Sequence, residues 1–329
     1  MSSEKFFITG ATGCIGSWVV RNLILEGSPV TALDIGDSRH RLTTILDDDQ
    51  LSKVNFVRGD IADIKSIENL ISNSKATNII HLAALQLPFC RANPSLGATV
   101  NVIGTVNIFE ACKHLQIKRV AYASSTAVYG PLEAYPKGPI PHDAPLYPRS
   151  HYGVYKVANE GNAQIYWLEH GITSIGLRPH TVYGPGRDQG MTSTPTKAMI
   201  AAIMDRPYRI SFGGSYGFQF VDDVAKIFIR ASRTVWEGAD SFSLGGFSTS
   251  TTDVIMAIET LLPEQCGKIT FDDQPLPFPA EFDNSVLVSI LGNLPQTPLL
   301  EGIKVTIDIY QKAINNSRLT DSDLEKLLS

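Results

Sequence analysis

The feature that most constrains the fold is a glycine-rich stretch near the N-terminus, "ITGATGCIG", which continues the apolar run "KFFI". Its glycines, Gly10, Gly13 and Gly16, recur at every third position. Between a strand and a helix, such a turn lets backbone N–H groups approach a pyrophosphate, and the helix N-terminus attracts negative charge. A glycine-bearing turn without any ligand is the structural alternative. The stretch therefore predicts a βαβ unit whose first turn can bind a dinucleotide.

Acidic residues end the next two predicted strands. The run "VTALD" ends at Asp34, and "VNFVRGD" ends at Asp60. A carboxylate at Asp34 can accept hydrogen bonds from both hydroxyls of an adenosine ribose and would repel a 2′-phosphate, which favours NAD over NADP. Asp34 can equally be an ordinary turn residue, and Arg39 and Arg41 could weaken the preference. Asp60 falls where an adenine edge would lie.

Apolar, strand-like runs alternate with helical patterns through the first half of the chain. Further strands are predicted at "NIIHLAA", "RVAYASS" and "TSIGLRP", with helices over about 14–26, 94–114 and 152–169. Strands that are apolar throughout and separated by helices indicate a parallel sheet covered on both faces. We therefore predict an α/β fold with a doubly wound parallel (Rossmann) sheet and a smaller mixed C-terminal region.

The pattern changes after Pro179. The segment "VYGPGRDQGMTSTP" indicates a loop, and helices near 196–205, 222–236, 252–262 and 303–315 follow with short strands at "YRIS", "SFSLG" and "KITF". We predict an NAD-binding Rossmann domain over 1–179 and a mainly substrate-binding region over 180–329, from which segments at about 217–240 return to the Rossmann core. The polar tail from Leu319 is predicted to be mobile.

Composition argues against several classes of protein. The net charge of −5 provides no basic surface for nucleic acid. No apolar run approaches the roughly 20 residues of a membrane-spanning helix. The start "MSSEKFFITG" lacks the long apolar segment of a secretory signal, so a cytoplasmic protein is expected. The four cysteines show no C-x-x-C spacing, so neither a metal site nor a disulfide framework is predicted.

A second group of candidate residues lies in "HYGVYK" and "YASSTAVYG". Tyr152 and Lys156 are one helical turn apart and would share a face. A nearby ammonium, or the positive ring of an oxidised nicotinamide, would favour the phenolate and make Tyr152 a general acid/base. Ser124, Ser125 and Thr126 lie at the carboxyl end of a strand, and a serine there could hydrogen-bond the reacting oxygen. The structural alternatives are an exposed helix face for the pair and backbone hydrogen bonds in a turn for the serine.

These motifs occur in an order that resembles the NAD-dependent epimerase/dehydratase family, the extended short-chain dehydrogenases/reductases. The glycine loop, "HLAA", "NVIGT", "SSTAVYG", Y-x-x-x-K and "LRPHTVYGPG" carry the resemblance, which is dense over 6–187 and continues through "FQFVDDVA" and "LLEGIKVTIDIY". The resemblance implies NAD as cofactor and Ser125, Tyr152 and Lys156 as catalytic residues. The cofactor-binding residues that it implies are Gly10, Gly13, Cys14, Ile15, Gly16, Asp34, Asp60, Ile61, Leu82, Ala83, Ala84, Asn101, Tyr152, Lys156 and Pro179.

The substrate region departs from the best-known members of the family, which act on nucleotide-diphosphate sugars. Where many of them carry Phe-Asn, this chain has His180 and Thr181, and Tyr216 stands near the position of an arginine. Loss of arginines removes charge-assisted phosphate contacts, which favours a smaller substrate without a nucleotide. Arg187 could bind a phosphate or a carboxylate. The predicted substrate-binding residues are Gln86, Ser125, Thr126, His180, Thr181, Arg187, Gln189 and Tyr216.

The predicted reaction is hydride transfer at a secondary alcohol carbon of a sugar or sugar derivative. An epimerase would return the hydride to the other face, whereas a dehydrogenase of a non-nucleotide sugar or sugar acid would release NADH. Dehydration is disfavoured because Thr126 and Ala127 stand where the family's sugar dehydratases carry Asp-Glu. The alternative from another class is a catalytically silent NAD-binding regulator. The resemblance also implies a homodimer through helices near 101–114 and 152–169.

Overall fold

The protein is built from strands and helices that alternate along most of the chain. The structure, a computed structural model, describes residues 4–246 and 248–328. The strands are β1 (Phe6–Thr9), β2 (Val30–Asp34), β3 (Asn55–Arg58), β4 (Asn78–His81), β5 (Arg119–Ala123), β6 (Thr173–Arg178), β7 (Thr181–Tyr183), β8 (Tyr208–Ile210), β9 (Ser215–Phe220), β10 (Ala239–Ser243), β11 (Ser248–Ser250) and β12 (Ile269–Phe271).

The helices lie between these strands and at the C-terminus. They are α1 (Cys14–Leu25), α2 (His40–Ile45), α3 (Asp48–Leu51), α4 (Ile64–Ser74), α5 (Leu87–Ala92), α6 (Pro94–Ala98), α7 (Gly104–His114), α8 (His151–His170), α9 (Thr194–Ile203), α10 (Val221–Arg233), α11 (Thr251–Leu261), α12 (Ser285–Leu291), α13 (Leu299–Asn315) and α14 (Asp321–Leu328). Short 3-10 turns cover Thr126–Val128, Leu132–Ala134 and Pro263–Gln265, and a π-helical turn covers Thr99–Ile103.

Seven parallel strands form the central sheet, in the order β3-β2-β1-β4-β5-β6-β10. Alternate residues of a strand point to opposite faces. Accordingly, Phe6 and Ile8 pack into a core with Trp18 of α1, whereas Phe7 packs into a second core with Phe109 of α7. Helices α1 and α10 cover one face, and α4, α7 and α8 cover the other. The predicted doubly wound Rossmann sheet is therefore confirmed.

The C-terminal part adds two small sheets, whose buried residues pack into the same core as α1 and α10. One has the order β11-β9-β7, and the other pairs β8 with β12. Two elements from this part of the chain join the Rossmann core instead. Helix α10 packs on α1, and β10 pairs in parallel with β6 in the central sheet. The predicted strand "SFSLG" is thus an edge strand of the main sheet.

Two local predictions differ from the structure. The long helix expected over 94–114 is divided by the π-helical turn Thr99–Ile103. The tail expected to be mobile from Leu319 instead forms α14, whose Leu324 is almost fully buried against Tyr310 and Ile200. The prediction of a mobile tail was wrong because its few apolar residues fall on one helix face and find a partner surface.

Candidate active site

A cleft of about 570 Å³ opens at the carboxyl ends of the neighbouring strands β1 and β4, where the chain continues to helices on opposite faces of the sheet. This is the point at which doubly wound sheets bind ligands. The predicted site residues that line it are Gly10, Gly13, Cys14, Ile15, Gly16, Asp34, Asp60, Ile61, Leu82, Ala83, Ala84, Gln86, Ser125, Thr126, Tyr152, Lys156, Pro179, His180, Arg187 and Gln189.

The glycine loop is shaped so that its backbone faces the cleft. Gly10 has a φ of +66°, and a Cβ there would lie 2.7 Å from the backbone nitrogen of Ala83. A Cβ on Gly16 would collide with the carbonyl oxygen of Gly10. No side chain of the described residues caps α1 at Gly13, so the first N–H groups of this helix remain available. The turn therefore fits the pyrophosphate of a dinucleotide, which helix N-termini bind through such groups.

The carboxylate of Asp34 is held at the end of β2. One of its oxygens accepts hydrogen bonds from the backbone N–H of Thr12 at 3.0 Å and from the Thr12 hydroxyl at 2.7 Å. Its other oxygen accepts one from the N–H of Ile35 at 2.9 Å. The guanidinium of Arg39 stacks over Phe56, with 3.8 Å from Cζ to the ring centroid. A fixed carboxylate at this place fits the two hydroxyls of an adenosine ribose.

Three candidate catalytic side chains converge on the other half of the cleft. Helix α8 packs closely on the turn after β5. The approach is so close that a Cβ on Gly153 would clash with the carbonyl oxygen of Ala127. This packing places the Tyr152 hydroxyl beside Ser125, whose Oγ accepts the N–H of Ala127 at 3.1 Å. The Nζ of Lys156 donates to the carbonyl oxygen of Ala123 at 2.6 Å and lies 5.6 Å from the Tyr152 ring centroid.

The ionisation of these groups is set mainly by burial. Burial raises the pKa of Tyr152, while the hydrogen bond from Ser125 and the positive charge of Arg187 lower it in part. Burial lowers the pKa of Lys156 to about 8, against the charges of Cys90 and Glu160, which raise it. The phenol of Tyr152 is thus a proton donor by itself, and a further positive charge beside it is needed before it can act as a base. Arg187 is a second cation that sequence reasoning did not place near Tyr152.

A buried ion pair between Glu160 of α8 and Arg178 of β6 lies next to the strand that precedes the candidate residue Ser125. The carboxylate of Glu160 accepts hydrogen bonds from Nε and Nη2 of Arg178 at 2.8 and 2.6 Å and from the Ser124 hydroxyl at 2.5 Å. The Nη1 of Arg178 donates to the Tyr129 hydroxyl at 2.8 Å. Glu160 lies one helical turn after Lys156, and this spacing was the signal in the sequence that could have identified it.

Three predicted site residues do not line the cleft. Asn101, in the π-helical turn, accepts the N–H of Leu85 at 2.7 Å and donates to its carbonyl at 2.9 Å, so it shapes the loop after β4. The Thr181 hydroxyl bonds Nδ1 of His180 at 3.0 Å. The hydroxyl of Tyr216 accepts the N–H of Leu276 at 2.7 Å, and its ring is buried behind His180. The polar atoms of these three side chains bond to groups of the protein, so the residues support the segments that line the cleft and do not face it.

His180 reaches the cleft as a neutral side chain. Its Nε2 donates to the carbonyl oxygen of Pro279 at 2.8 Å, and the rings of Phe278 and Phe282 pack around it. Burial lowers the pKa of His180 to about 4, so the ring carries no charge at neutral pH. It therefore contributes shape and an aromatic surface to the predicted substrate side, and no positive charge for a phosphate.

Arg187 is the cation exposed to this part of the cleft. Its Nη2 donates to the Thr192 hydroxyl at 2.9 Å. Among the described residues its Nε has no hydrogen-bond partner. The amide oxygen of Gln86 lies close by, since both side chains border the same face of Gly190. An unpartnered guanidinium N–H beside an amide suits an anionic ligand group.

The family model described as "NAD dependent epimerase/dehydratase family" matches residues 6–245. The UDP-glucose 4-epimerase of Mycolicibacterium smegmatis is 33% identical over 325 residues, which cover 93% of this chain and 98% of that protein. The structure of UDP-glucose 4-epimerase from Thermus thermophilus in complex with NAD has a TM-score of 0.79 and 25% identity, covering 94% of this chain and 100% of that one.

A further solved structure shares the fold at lower identity. L-threonine dehydrogenase from Clostridium difficile superposes with a TM-score of 0.82 and 21% identity over 95% of this chain and 99% of its own. Among the helices of 4–246 and 248–328, none combines the length and apolar character that crossing a membrane requires.

Proposed function

This chain belongs to the NAD-dependent epimerase/dehydratase family, and we propose that it moves a hydride at a secondary alcohol carbon of a sugar or sugar derivative, with Tyr152 as acid/base. As a member it is an NAD-dependent enzyme of the epimerase or dehydrogenase type. The observation that carries the finer proposal is the convergence of Ser125, Tyr152 and Lys156 on one cleft with the glycine loop.

The proposed steps follow from the contacts of these side chains. The chemistry that NAD supplies when bound is acceptance and return of a hydride. Ser125 hydrogen-bonds the substrate oxygen and orients it toward Tyr152, which takes the alcohol proton as the carbon–hydrogen bond breaks. The Lys156 ammonium, close to the Tyr152 ring, stabilises the phenolate and binds the nicotinamide ribose. On return of the hydride, Tyr152 gives its proton back to the oxygen.

The remaining wall of the cleft supports an anionic substrate. We propose that Arg187, with Gln86 and Gln189 beside it, binds a carboxylate or phosphate of the sugar. Tyr216 is buried and His180 is neutral, so neither replaces the arginine contacts of the nucleotide-sugar enzymes. The similarity to UDP-glucose 4-epimerases supports an epimerase. The second candidate is a dehydrogenase of a non-nucleotide sugar or sugar acid. The loss of arginines that bind the substrate diphosphate in many family members favours it.

The test is a substrate panel with the purified protein and NAD. It should include UDP-sugars, free sugars and sugar acids, with isomerisation followed by proton NMR and NADH by absorbance. Isomerised product without accumulation of NADH supports the epimerase, and stoichiometric NADH supports the dehydrogenase. If the protein binds NAD but forms neither product with any substrate of the panel, the epimerase and the dehydrogenase are both contradicted. The catalytically silent NAD-binding regulator is then the interpretation that agrees with the result.

The organisation of the chain into parts is also a proposal. We assign NAD binding to residues 1–179 and substrate binding mainly to 180–329. The pairing of β10 with β6 and the packing of α10 on α1 support the return of the segment near 217–240 to the Rossmann core. The cleft between these parts would then bind cofactor and substrate together.

We propose a homodimer formed through α7, α8 and their neighbours. Large apolar side chains are exposed on this surface: Phe89, Leu96, Ile103, Val154, Ile165 and Leu168. Leu168 is 74% exposed, and apolar patches of this kind mark protein interfaces. We expect the double substitution Ile165→Glu/Leu168→Glu to lower the mass in solution from dimer to monomer by analytical ultracentrifugation. Val235→Glu, at a residue 82% exposed after α10, should leave the dimer unchanged. A monomeric wild type would contradict the proposal.

A further inference from the structure

One charged cluster at the rim of the cleft has no part in the proposed chemistry. The guanidinium of Arg41, from the start of α2, contacts both carboxylate oxygens of Asp188. The Arg41 Nε lies 3.1 and 3.0 Å from these oxygens, and Nη2 lies 2.6 Å from one of them. His40 adds a contact from Nε2 at 2.9 Å. Arg41 and Asp188 both line the cleft, and the Asp188 side chain is almost fully buried.

Arg41 also reaches the glycine loop. Its Nη1 donates to the carbonyl oxygen of Thr12 at 3.0 Å. The same guanidinium therefore joins the turn that faces the pyrophosphate to Asp188, which follows β7 in the C-terminal half of the chain. Both residues line the cleft, so the link joins the N-terminal and C-terminal parts of the chain at its wall.

Asp188 ends a short segment, residues 184–188, which we call the strap. It is held by hydrogen bonds to both the N-terminal and the C-terminal part of the chain. The indole N–H of Trp18 in α1 donates to the carbonyl of Pro185 at 2.9 Å. The N–H of Gly184 donates to Thr196 at 3.1 Å, and that of Gly186 donates to the Tyr310 hydroxyl at 3.1 Å. The strap is thus held in place and is anchored to α1, whose N-terminus faces the proposed pyrophosphate site.

The electrostatics of the link favour a closed state. Burial raises the pKa of Asp188, but the hydrogen bonds from His40 and Arg41 and the charge of Arg41 outweigh it and hold the pKa below its usual range, so Asp188 is ionised at neutral pH. A bidentate, charge-assisted contact in a buried place is costly to break, because opening it leaves a carboxylate without its partner. A dinucleotide that runs from Asp34 to Tyr152 has to pass along the glycine loop, beside this link.

We propose that Arg41 and Asp188 form a clasp that retains NAD between turnovers. Release of the cofactor then requires the clasp to open and the strap to lift. A retained cofactor keeps its hydride within the site and returns it to the same substrate, whereas a dehydrogenase must exchange its cofactor in each cycle. The clasp rests on the proposed function only in that both assume NAD in this cleft, and it favours the epimerase over the dehydrogenase.

The test measures cofactor release in the absence of any sugar. The protein is loaded with radiolabelled NAD and chased with unlabelled NAD, and the label that stays bound is followed over time. We expect Asp188→Asn to release NAD at least about tenfold faster than the wild type, which corresponds to loss of one charge-assisted contact. Arg41→Lys keeps the charge but loses the bidentate contact, and it should behave in the same direction if Asp188→Asn does not fold.

A matched control is present at the adenosine side of the same cleft. Asp37 pairs with Arg58 at 3.2 Å in an exposed ion pair that does not touch the strap, so Asp37→Asn should release NAD at the wild-type rate. Unchanged release from Asp188→Asn and Arg41→Lys would overturn the clasp, as would equal acceleration in Asp37→Asn. A protein that releases NAD slowly through the clasp but converts no sugar would support the clasp and contradict the proposed function.

Discussion

Tyr152→Phe is expected to lower kcat on the true substrate by about 10³-fold or more, with NAD affinity close to the wild-type value. The substitution keeps the ring and removes only the hydroxyl that lies beside Ser125. A positioned general acid/base contributes about 10²–10⁴-fold, and the substitution removes the hydroxyl proposed for that role. Turnover by NMR and NAD binding by calorimetry are the measurements.

The matched control is Tyr155, on the same helix. Its hydroxyl donates to the carbonyl oxygen of Pro94 at 2.8 Å, and its ring lies away from the cleft wall. Tyr155→Phe should therefore keep wild-type turnover, with at most a small loss of stability. Full activity in Tyr152→Phe would contradict the acid/base role. Loss of activity together with loss of NAD binding would point to damage to the site instead.

The central sheet could be predicted because its signals are local. The run "VTALD" predicts a strand that the structure places at Val30–Asp34, and the glycine loop predicts a helix that begins at Cys14. Continuous apolar strands need cover on both faces, which fixes the doubly wound arrangement before any contact is known. The conformational demand at Gly10, a left-handed φ together with close approach to Ala83, is likewise visible as the residue type.

The C-terminal sheets could not be predicted in this way. Strand β7 has only three residues inside a segment rich in Gly and Pro, and it exists because β9, more than 30 residues later, pairs with it. The same reason explains the tail, since Leu324 becomes part of a helix by packing on Tyr310. Pairing between distant segments overrides local composition in each case.

The residues of the candidate site also fall into those that local sequence patterns predict and those that depend on pairing between distant segments. Helical spacing brings Tyr152 and Lys156 together, and the strand end brings Ser125 to them. Helical spacing from Lys156 could have indicated Glu160 alone. Its contact with Arg178 and the contact between Arg41 and Asp188 could not be inferred, because each joins segments whose distance in space depends on the whole fold. Tyr216 was predicted to face the substrate from its place in the sequence, yet its hydroxyl is turned to backbone groups behind the wall.

The second large effect is expected from Glu160→Gln, which should lower the free energy of unfolding by about 3–5 kcal/mol. Glu160 is 7% exposed and Arg178 is 5% exposed, so loss of the carboxylate charge leaves a buried guanidinium without its counter-ion. The amide also cannot accept at both of its polar atoms, and thus one of the two bonds to Arg178 is lost. Urea unfolding followed by circular dichroism measures the change.

The double substitution Glu160→Met/Arg178→Met separates the ion pair from simple disruption of the core. Removing both charges leaves no unpaired ion, and buried pairs are often replaced by apolar side chains with little loss of stability. We therefore expect the double variant to be more stable than Glu160→Gln, even though the hydroxyls of Ser124 and Tyr129 lose a partner. A Glu160→Gln protein within about 1 kcal/mol of the wild type would contradict this account, because a buried unpaired charge destabilises a protein by more than that. If the double variant has a lower free energy of unfolding than Glu160→Gln, charge balance is not the main contribution of the pair. The packing and hydrogen bonds of the two side chains would then stabilise this part of the core.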